Sequence, residues 1–223
     1  MSTAQSSNHS STWNPTTWFQ GNSDSWVKWE MCCNVLLASY FMYFVYLHGS
    51  SVVSTGLRLS TILLLLKVGA DVFFHLTRKP AEKISRKPYD WFIGIAGAYT
   101  ILLFVPLVGT DSVFGVLIQL FGMALQVLGM FSLNQSIGFV AANRGIKTKG
   151  MYRFVRHPLY FAYTVSFFGF MINQFCIRNL CVYLLMVVVL YLRTHCEERI
   201  LRQDAEYQEY AEKVKYRMIP GIF

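Results

Sequence analysis

Long apolar runs, each close to the thickness of a bilayer, constrain this chain more than any other feature. A hydrocarbon layer of about 30 Å takes roughly 20 residues of helix, and the runs at 26–47, 53–76, 91–108 and 113–133 have about that length. A further block, 159–192, is too long for one crossing and breaks at Ile177-Arg178-Asn179. It reads as a helical hairpin, 159–175 and 179–195, whose second arm continues into a charged tail. Barrel strands alternate in polarity and are about ten residues long, so the runs indicate helices. The expected fold is all-α: a polytopic membrane helical bundle of about six transmembrane helices, with a C-terminal hairpin and a cytoplasmic amphipathic tail.

Composition and charge placement agree. Hydrophobic residues make up 54% and charged residues 14% of the 223, against about 45–50% and about 25% in soluble domains. The net charge of +8 would suit nucleic acid if it formed a patch, but it does not. Sixteen of the 20 Lys and Arg residues fall in three stretches, 78–87, 144–156 and 193–217. With six spans all three lie on one side, and the opposite connections carry only Arg58 and Arg178. The positive-inside bias then sets both termini in the cytoplasm, at the inner membrane if the cell is bacterial. The expected partner of this chain is therefore the membrane, not nucleic acid.

Residues 1–25 are rich in Ser, Thr and Asn and hold no Lys or Arg, so they read as a mobile tail without the basic start of a secretory signal. Residues 26–223 form one membrane domain, with four spans in 26–133 and a loop, hairpin and tail in 134–223. The indoles of Trp13, Trp18, Trp26 and Trp29 suit the lipid–water boundary. Five cysteines, mostly inside apolar runs, are not a disulfide framework. Cys176 and Cys181 lack the second pair that a metal site needs, so no metal is expected.

Polar residues inside spans narrow the reading further. Lys67, Asp71 and His75 stand at i, i+4, i+8 on one face of the second span, either as an internal ion pair with a boundary histidine or as a polar wall of a substrate cavity. Gln119 and Gln126 suit helix–helix hydrogen bonding, and Gly115, Gly122 and Gly129, seven apart, suit close helix contact.

Two stretches carry chemistry. The first, 143–160, is dense in cations and ends Tyr152-Arg153-Phe154-Val155-Arg156-His157-Pro158-Leu159-Tyr160. Pro158 suits the first turn of a helix and restrains His157 to extended geometry. Cations and helix N-terminal amides then converge either where an anionic or carboxylate-bearing cofactor can dock or as a snorkelling basic collar that only fixes topology. The second is Arg193-Thr194-His195-Cys196-Glu197-Glu198-Arg199. Taken alone, its Arg193–Glu197 and Glu198–Arg202 spacings are those of a solvated salt-bridge ladder.

Together they resemble something specific. Arg-His-Pro-x-Tyr, a hydrophobic hairpin, Glu-Glu about forty residues later, then Tyr207, Tyr210 and Lys215-Tyr216-Arg217-Met218-Ile219-Pro220-Gly221 resemble the isoprenylcysteine carboxyl methyltransferase and phospholipid methyltransferase superfamily, over roughly 128–223. The resemblance implies a membrane enzyme that uses S-adenosyl-L-methionine to methylate a lipophilic substrate: an isoprenylcysteine-like carboxylate, a phospholipid amine, or a small thiol or phenol. Carried over, Arg156, His157, Pro158 and Tyr160, with Tyr152 beside them, form one cofactor wall, and Glu197 and Glu198 the other. Arg153, Arg156 and Arg217 are candidates for a carboxylate of cofactor or substrate, and Glu198, His157 or Tyr160 for a base. Arg153, Arg156 and Glu198 are thus the expected catalytic groups. Gln135 and Ala162 depart from the Arg and Gly common in the family.

Two other readings compete. Sterol reductases share the C-terminal pattern and use NADPH, but Glu197-Glu198 would repel a 2′-phosphate. A transporter or assembly protein would instead work through Lys67 and Asp71, yet no inverted repeat is visible between the halves.

Overall fold

Proline and local capping set most of the element boundaries. A computed structural model describes residues 32, 35–36, 38–46, 49–50, 56, 58–76, 83–85, 87–133, 136, 138 and 140–223. Residues 38–46 are helical. Helix α1 is Leu59–Leu76, α2 is Pro88–Thr100 with a 3-10 turn at Ile101–Leu103, and α3 is Val113–Leu133. A second 3-10 turn, Gly150–Arg153, leads into α4, Pro158–Asn173, then α5, Ile177–Leu201, and α6, Ala205–Lys213. Pro88 and Pro158 occupy the first turns of α2 and α4, where a missing N–H costs nothing. Two short strands, β1 (Lys83–Ile84) and β2 (Ala142–Asn143), pair antiparallel with Lys83 opposite Asn143.

The described chain is therefore mostly helical. Two helices, Val113–Leu133 and Ile177–Leu201, are long and apolar enough to cross a membrane, with mean hydropathy 2.0 and 1.6. On α3, Phe114, Leu117, Phe121, Leu128 and Phe131 are all exposed, a continuous apolar stripe larger than a water-facing surface normally carries.

The expected boundaries shift in two places. The span placed at 91–108 is a helix of 13 residues plus the 3-10 turn, and the chain becomes extended at Phe104. Pro106 disfavours helical geometry at Val105. Asn179 replaces the lost helix bonds, accepting from Val105 N at 3.0 Å and donating to Val105 O at 2.9 Å. The hairpin bend lies at 174–176, before the predicted Ile177-Arg178-Asn179. Cys176 caps α5 by accepting from Asn179 N, and Asn179 Nδ2 ties back to Gln174 O at 2.6 Å. The tail at 1–25 and its tryptophans lie outside the described residues, as does Gln135.

Glycine brings α3 and α4 together. A Cβ at Gly122 would lie 2.3 Å from Ser166 N, one at Gly129 2.8 Å from Leu159, and one at Gly115 2.5 Å from Asn173. Early residues of α3 thus meet the end of α4, and late ones its beginning, so the pair is antiparallel. Beside them Phe104 stacks on Phe167 at 4.9 Å and meets Phe170 edge-on at 5.6 Å.

The two ends of the bundle differ in charge. At one end Arg58 binds Asp111, the carbonyls of Leu107, Thr110 and Asn173, and Gln174 Oε1. Burial opposes charge on Asp111, but hydrogen bonds from the Ser60 backbone and hydroxyl and from Arg58 hold its pKa below the usual carboxylate value. At the other end the three basic stretches meet: β1 pairs with β2, and Arg156 N and His157 N donate to Tyr216 O and Arg217 O.

Candidate functional site

The Arg-His corner entering α4 and the Glu pair near the end of α5 face each other directly. Arg156 Nη1 donates to Glu198 Oε2 at 2.9 Å. His157 Nε2 lies 3.2 Å from Glu198 Oε1, and His157 Nδ1 lies 3.6 Å from Glu197 Oε2. Each imidazole nitrogen therefore has its own carboxylate. Burial disfavours the charged ring, but the hydrogen bonds to Glu197 and Glu198 outweigh it and raise the His157 pKa above its ordinary value. His157 has φ −129° and ψ 61°, short of the fully extended ψ expected before proline. The turn aims its ring at both acids.

The two glutamates, neighbours in sequence, do different things. Glu198 is 3% exposed and is surrounded by donors: Arg156, His157, Arg202 at 3.0 Å and Tyr207 at 2.7 Å. It does not line the cavity beside it. Glu197 does, accepting from Tyr160 Oη and from Arg193 Nε at 3.3 Å. The solvated ladder expected from spacing is present as contacts, but only Arg202 is exposed to solvent, because Arg193 and Glu198 are both buried.

One cavity joins a polar head to an apolar arm. Tyr152, Arg156, His157, Tyr160, Glu197 and Tyr207 line the head, together with Arg144 and Lys147. The arm runs past Ala98, Ile101, Met186 and Leu190 to Phe41, Lys67, Asp71 and Tyr163. Burial, then the nearby Glu197 charge, pushes the Tyr152 phenol well up. Burial and Glu198 do the same to Tyr207, and burial to Tyr210. These phenols stand as O–H donors at neutral pH, Tyr210 donating to Tyr152 O at 2.6 Å.

Not every expected residue reaches the cavity. Pro158 is buried and shapes the corner without lining it. Arg153 is exposed, with its guanidinium over the Phe154 ring at 4.6 Å. Arg217 turns away, donating to His195 Nε2 at 3.0 Å and packing over Phe223. Its backbone carbonyl, by contrast, holds His157 N at 2.7 Å. Ala162 is fully buried, consistent with close packing at a position usually glycine.

Lys67 and Asp71 combine both roles that their spacing allowed. They pair at 3.1 Å, Gln126 and Tyr163 donate to Asp71 Oδ1 at 3.0 and 3.1 Å, and both charges line the cavity. The side chain of His75 lies outside the described residues. Tyr163 and Arg193 were not anticipated as cavity residues. A signal for Tyr163 exists in the spacing His157, Tyr160, Tyr163, a polar-tipped ring at each turn entering α4.

Residues 110–207 match the sequence profile described as phospholipid methyltransferase. The match covers under half of the chain, and it marks that stretch as similar to the phospholipid methyltransferases. It falls on the stretch whose ordered motifs carry the resemblance. A comparison with curated proteins returned no match. The matched stretch takes in α3 through Tyr207, and so Tyr152, Arg156, His157, Tyr160, Glu197 and Glu198. Lys67 and Asp71 on α1 lie outside the matched stretch.

Proposed function

We propose that the chain is an integral membrane methyltransferase that uses S-adenosylmethionine to methylate a lipophilic molecule entering from the bilayer. The observation that carries this reading is the single cavity, with a polar, carboxylate-bearing head inside the matched stretch and an apolar arm among the helices. The donor set fits the cofactor. Arg156 lines the head, and its Nε–H is buried without a hydrogen-bond partner among the described residues. A cofactor carboxylate would satisfy that donor through a charge-assisted bond. Glu197 offers the complementary acceptor for an ammonium or for ribose hydroxyls.

When bound, the cofactor supplies a methyl group from its sulfonium. Arg156, Glu197 and the walls made by His157 and Tyr160 orient it, and holding the reactants in line lowers the barrier through lost translational and rotational freedom. Glu198 acts as a positioning residue, fixing the guanidinium of Arg156 and the ring of His157. Tyr152, Tyr207 and Tyr210 close the head against water. Arg153 has no role at the cofactor in this arrangement. The basic end faces the cytoplasm, with both termini on that side and six spans in all.

Calorimetric titration of the purified protein with S-adenosylmethionine and with NADPH, alongside labelled methyl transfer into lipid and membrane-protein extracts of the host, tests the reading. S-adenosylmethionine binds, Arg156→Ala and Glu197→Gln lose that binding, and Arg153→Ala keeps it. Binding of NADPH without S-adenosylmethionine overturns the proposal in favour of a reductase.

A further inference from the structure

The cavity also holds a charge pair to which the methyl-donor reading assigns no part. Lys67 is 3% and Asp71 4% exposed, on a helix outside the matched family stretch, and yet both line the cavity. Ionisable groups at such depth are costly and usually face protein or a water-accessible space. Here the pair is neutral overall and anchored on one side. Asp71 receives Lys67, Gln126 and Tyr163. Lys67 has three donors, and among the described residues its hydrogen bonding is to Asp71 alone. Its ammonium otherwise lies over the rings of Tyr163 at 4.1 Å and Phe167 at 4.8 Å.

We infer that Lys67, held by Asp71 and Tyr163, is the recognition site for an uncharged oxygen, a hydroxyl or carbonyl, on the lipophilic acceptor. The electrostatics select this class. A carboxylate or phosphate would set two negative charges against one cation in a low-dielectric pocket, and an ammonium would set two positive charges against Asp71. A neutral oxygen accepts from Lys67 without changing the net charge. The aromatic faces beside the ammonium and the apolar lining from Phe41 to Leu190 favour a ring or chain on the rest of the molecule. The inference rests on the methyltransferase reading for the word acceptor, but not for the binding itself. It disfavours a charged phospholipid headgroup at this pair.

The test uses the full chain in lipid nanodiscs and scintillation-proximity binding of tritiated 4-dodecylphenol, with dodecanoate and dodecylamine as competitors. The phenol binds saturably and the charged competitors displace it at least about tenfold less well than unlabelled phenol. Loss of one charge-assisted hydrogen bond weakens binding by about tenfold or more, so Lys67→Met does so while S-adenosylmethionine affinity is retained. Because Lys67→Met strands Asp71, the paired variant Lys67→Met/Asp71→Leu removes both charges together, and the shape-preserving Tyr163→Phe loosens Asp71. Both are expected to weaken phenol binding. Phenol binding unchanged in the folded double variant, absent saturable binding to the wild type, or displacement by dodecanoate or dodecylamine as good as by phenol, overturns the inference. Absent S-adenosylmethionine binding with intact, Lys67-dependent phenol binding overturns the methyltransferase reading and leaves this one standing.

Discussion

Replacing Glu198 by glutamine separates support from contact in the site. Glu198 is enclosed with Arg156, which is 5% exposed, and their 2.9 Å bond is the guanidinium's only carboxylate partner among the described residues. Glu198→Gln keeps the volume but removes the charge, so Arg156 remains buried without a counter-ion. Removing one partner of a buried pair costs about 3–5 kcal/mol. Arg202, whose side chain is 49% exposed, adds little to that figure because water screens it. At about 2–4 °C per kcal/mol for a chain of this size, thermal unfolding shifts down by roughly 6–20 °C. Glu197→Gln behaves oppositely. It loses contacts to His157, Tyr160 and Arg193, but its side chain is 18% exposed against 4% for Glu198, so water takes up part of the cost. The drop in melting temperature is smaller, while the carboxylate that faces the cavity is removed. Arg156→Met/Glu198→Leu recovers much of the stability, since both charges leave together, and does not restore cofactor binding. Fluorescence-monitored unfolding in detergent, paired with calorimetric titration of S-adenosylmethionine, reads both quantities. Should Glu198→Gln melt within about 2 °C of wild type, or Glu197→Gln be the less stable of the two, the division of labour between the glutamates is wrong.

The remaining predictions concern pH, packing and the opposite end. His157 has a folded pKa above its unfolded value, so its contribution is fully present below about pH 6.5 and is lost as pH rises through the folded pKa. Melting temperature therefore falls as pH rises from about 6.5 through the folded pKa, and His157→Gln flattens this slope. Gly122→Ala destabilises by about 1–3 kcal/mol through overpacking, because its Cβ meets the backbone of Ser166. Gly69→Ala, with nothing within 4 Å of its Cβ, stabilises by about 0.5–1 kcal/mol; the same unfolding assay separates them. Arg58→Lys keeps the charge but cannot hold three carbonyls, Asp111 and Gln174 at once. It lowers the melting temperature nearly as far as Arg58→Met does, since one ammonium cannot reproduce the guanidinium fork.

Much of the site was legible because the residues that form it are chemically distinctive and ordered along the chain. Arg156, His157, Tyr160, Glu197 and Glu198 meet as their order implied, and Gly115, Gly122 and Gly129 mark the closest helix contact. Arg153 and Arg217 misled because a cation near a motif can turn outward, and each found an aromatic ring instead. Arg58 was only a cation in an external connection, whereas in three dimensions it ties together the loops around Leu107, Thr110 and Asn173. Nothing local announces such a partner set, since its members are 49 to 116 residues away.

The length of the apolar runs, the position of the cations and the order of the motifs are properties of a line, and the amino-acid order alone determined them. They point to a mostly helical chain with apolar runs of membrane-spanning length, and they set the candidate site residues beside α4 and α5. Which of two adjacent glutamates faces the cavity was decided by the rotation of α5, because neighbouring residues on a helix point about 100° apart. That rotation follows from packing against α2 and α4 rather than from any local preference. Packing of α1 against α3 and α4 brings Lys67 and Asp71 into the cavity, a distance in sequence that no periodicity could close.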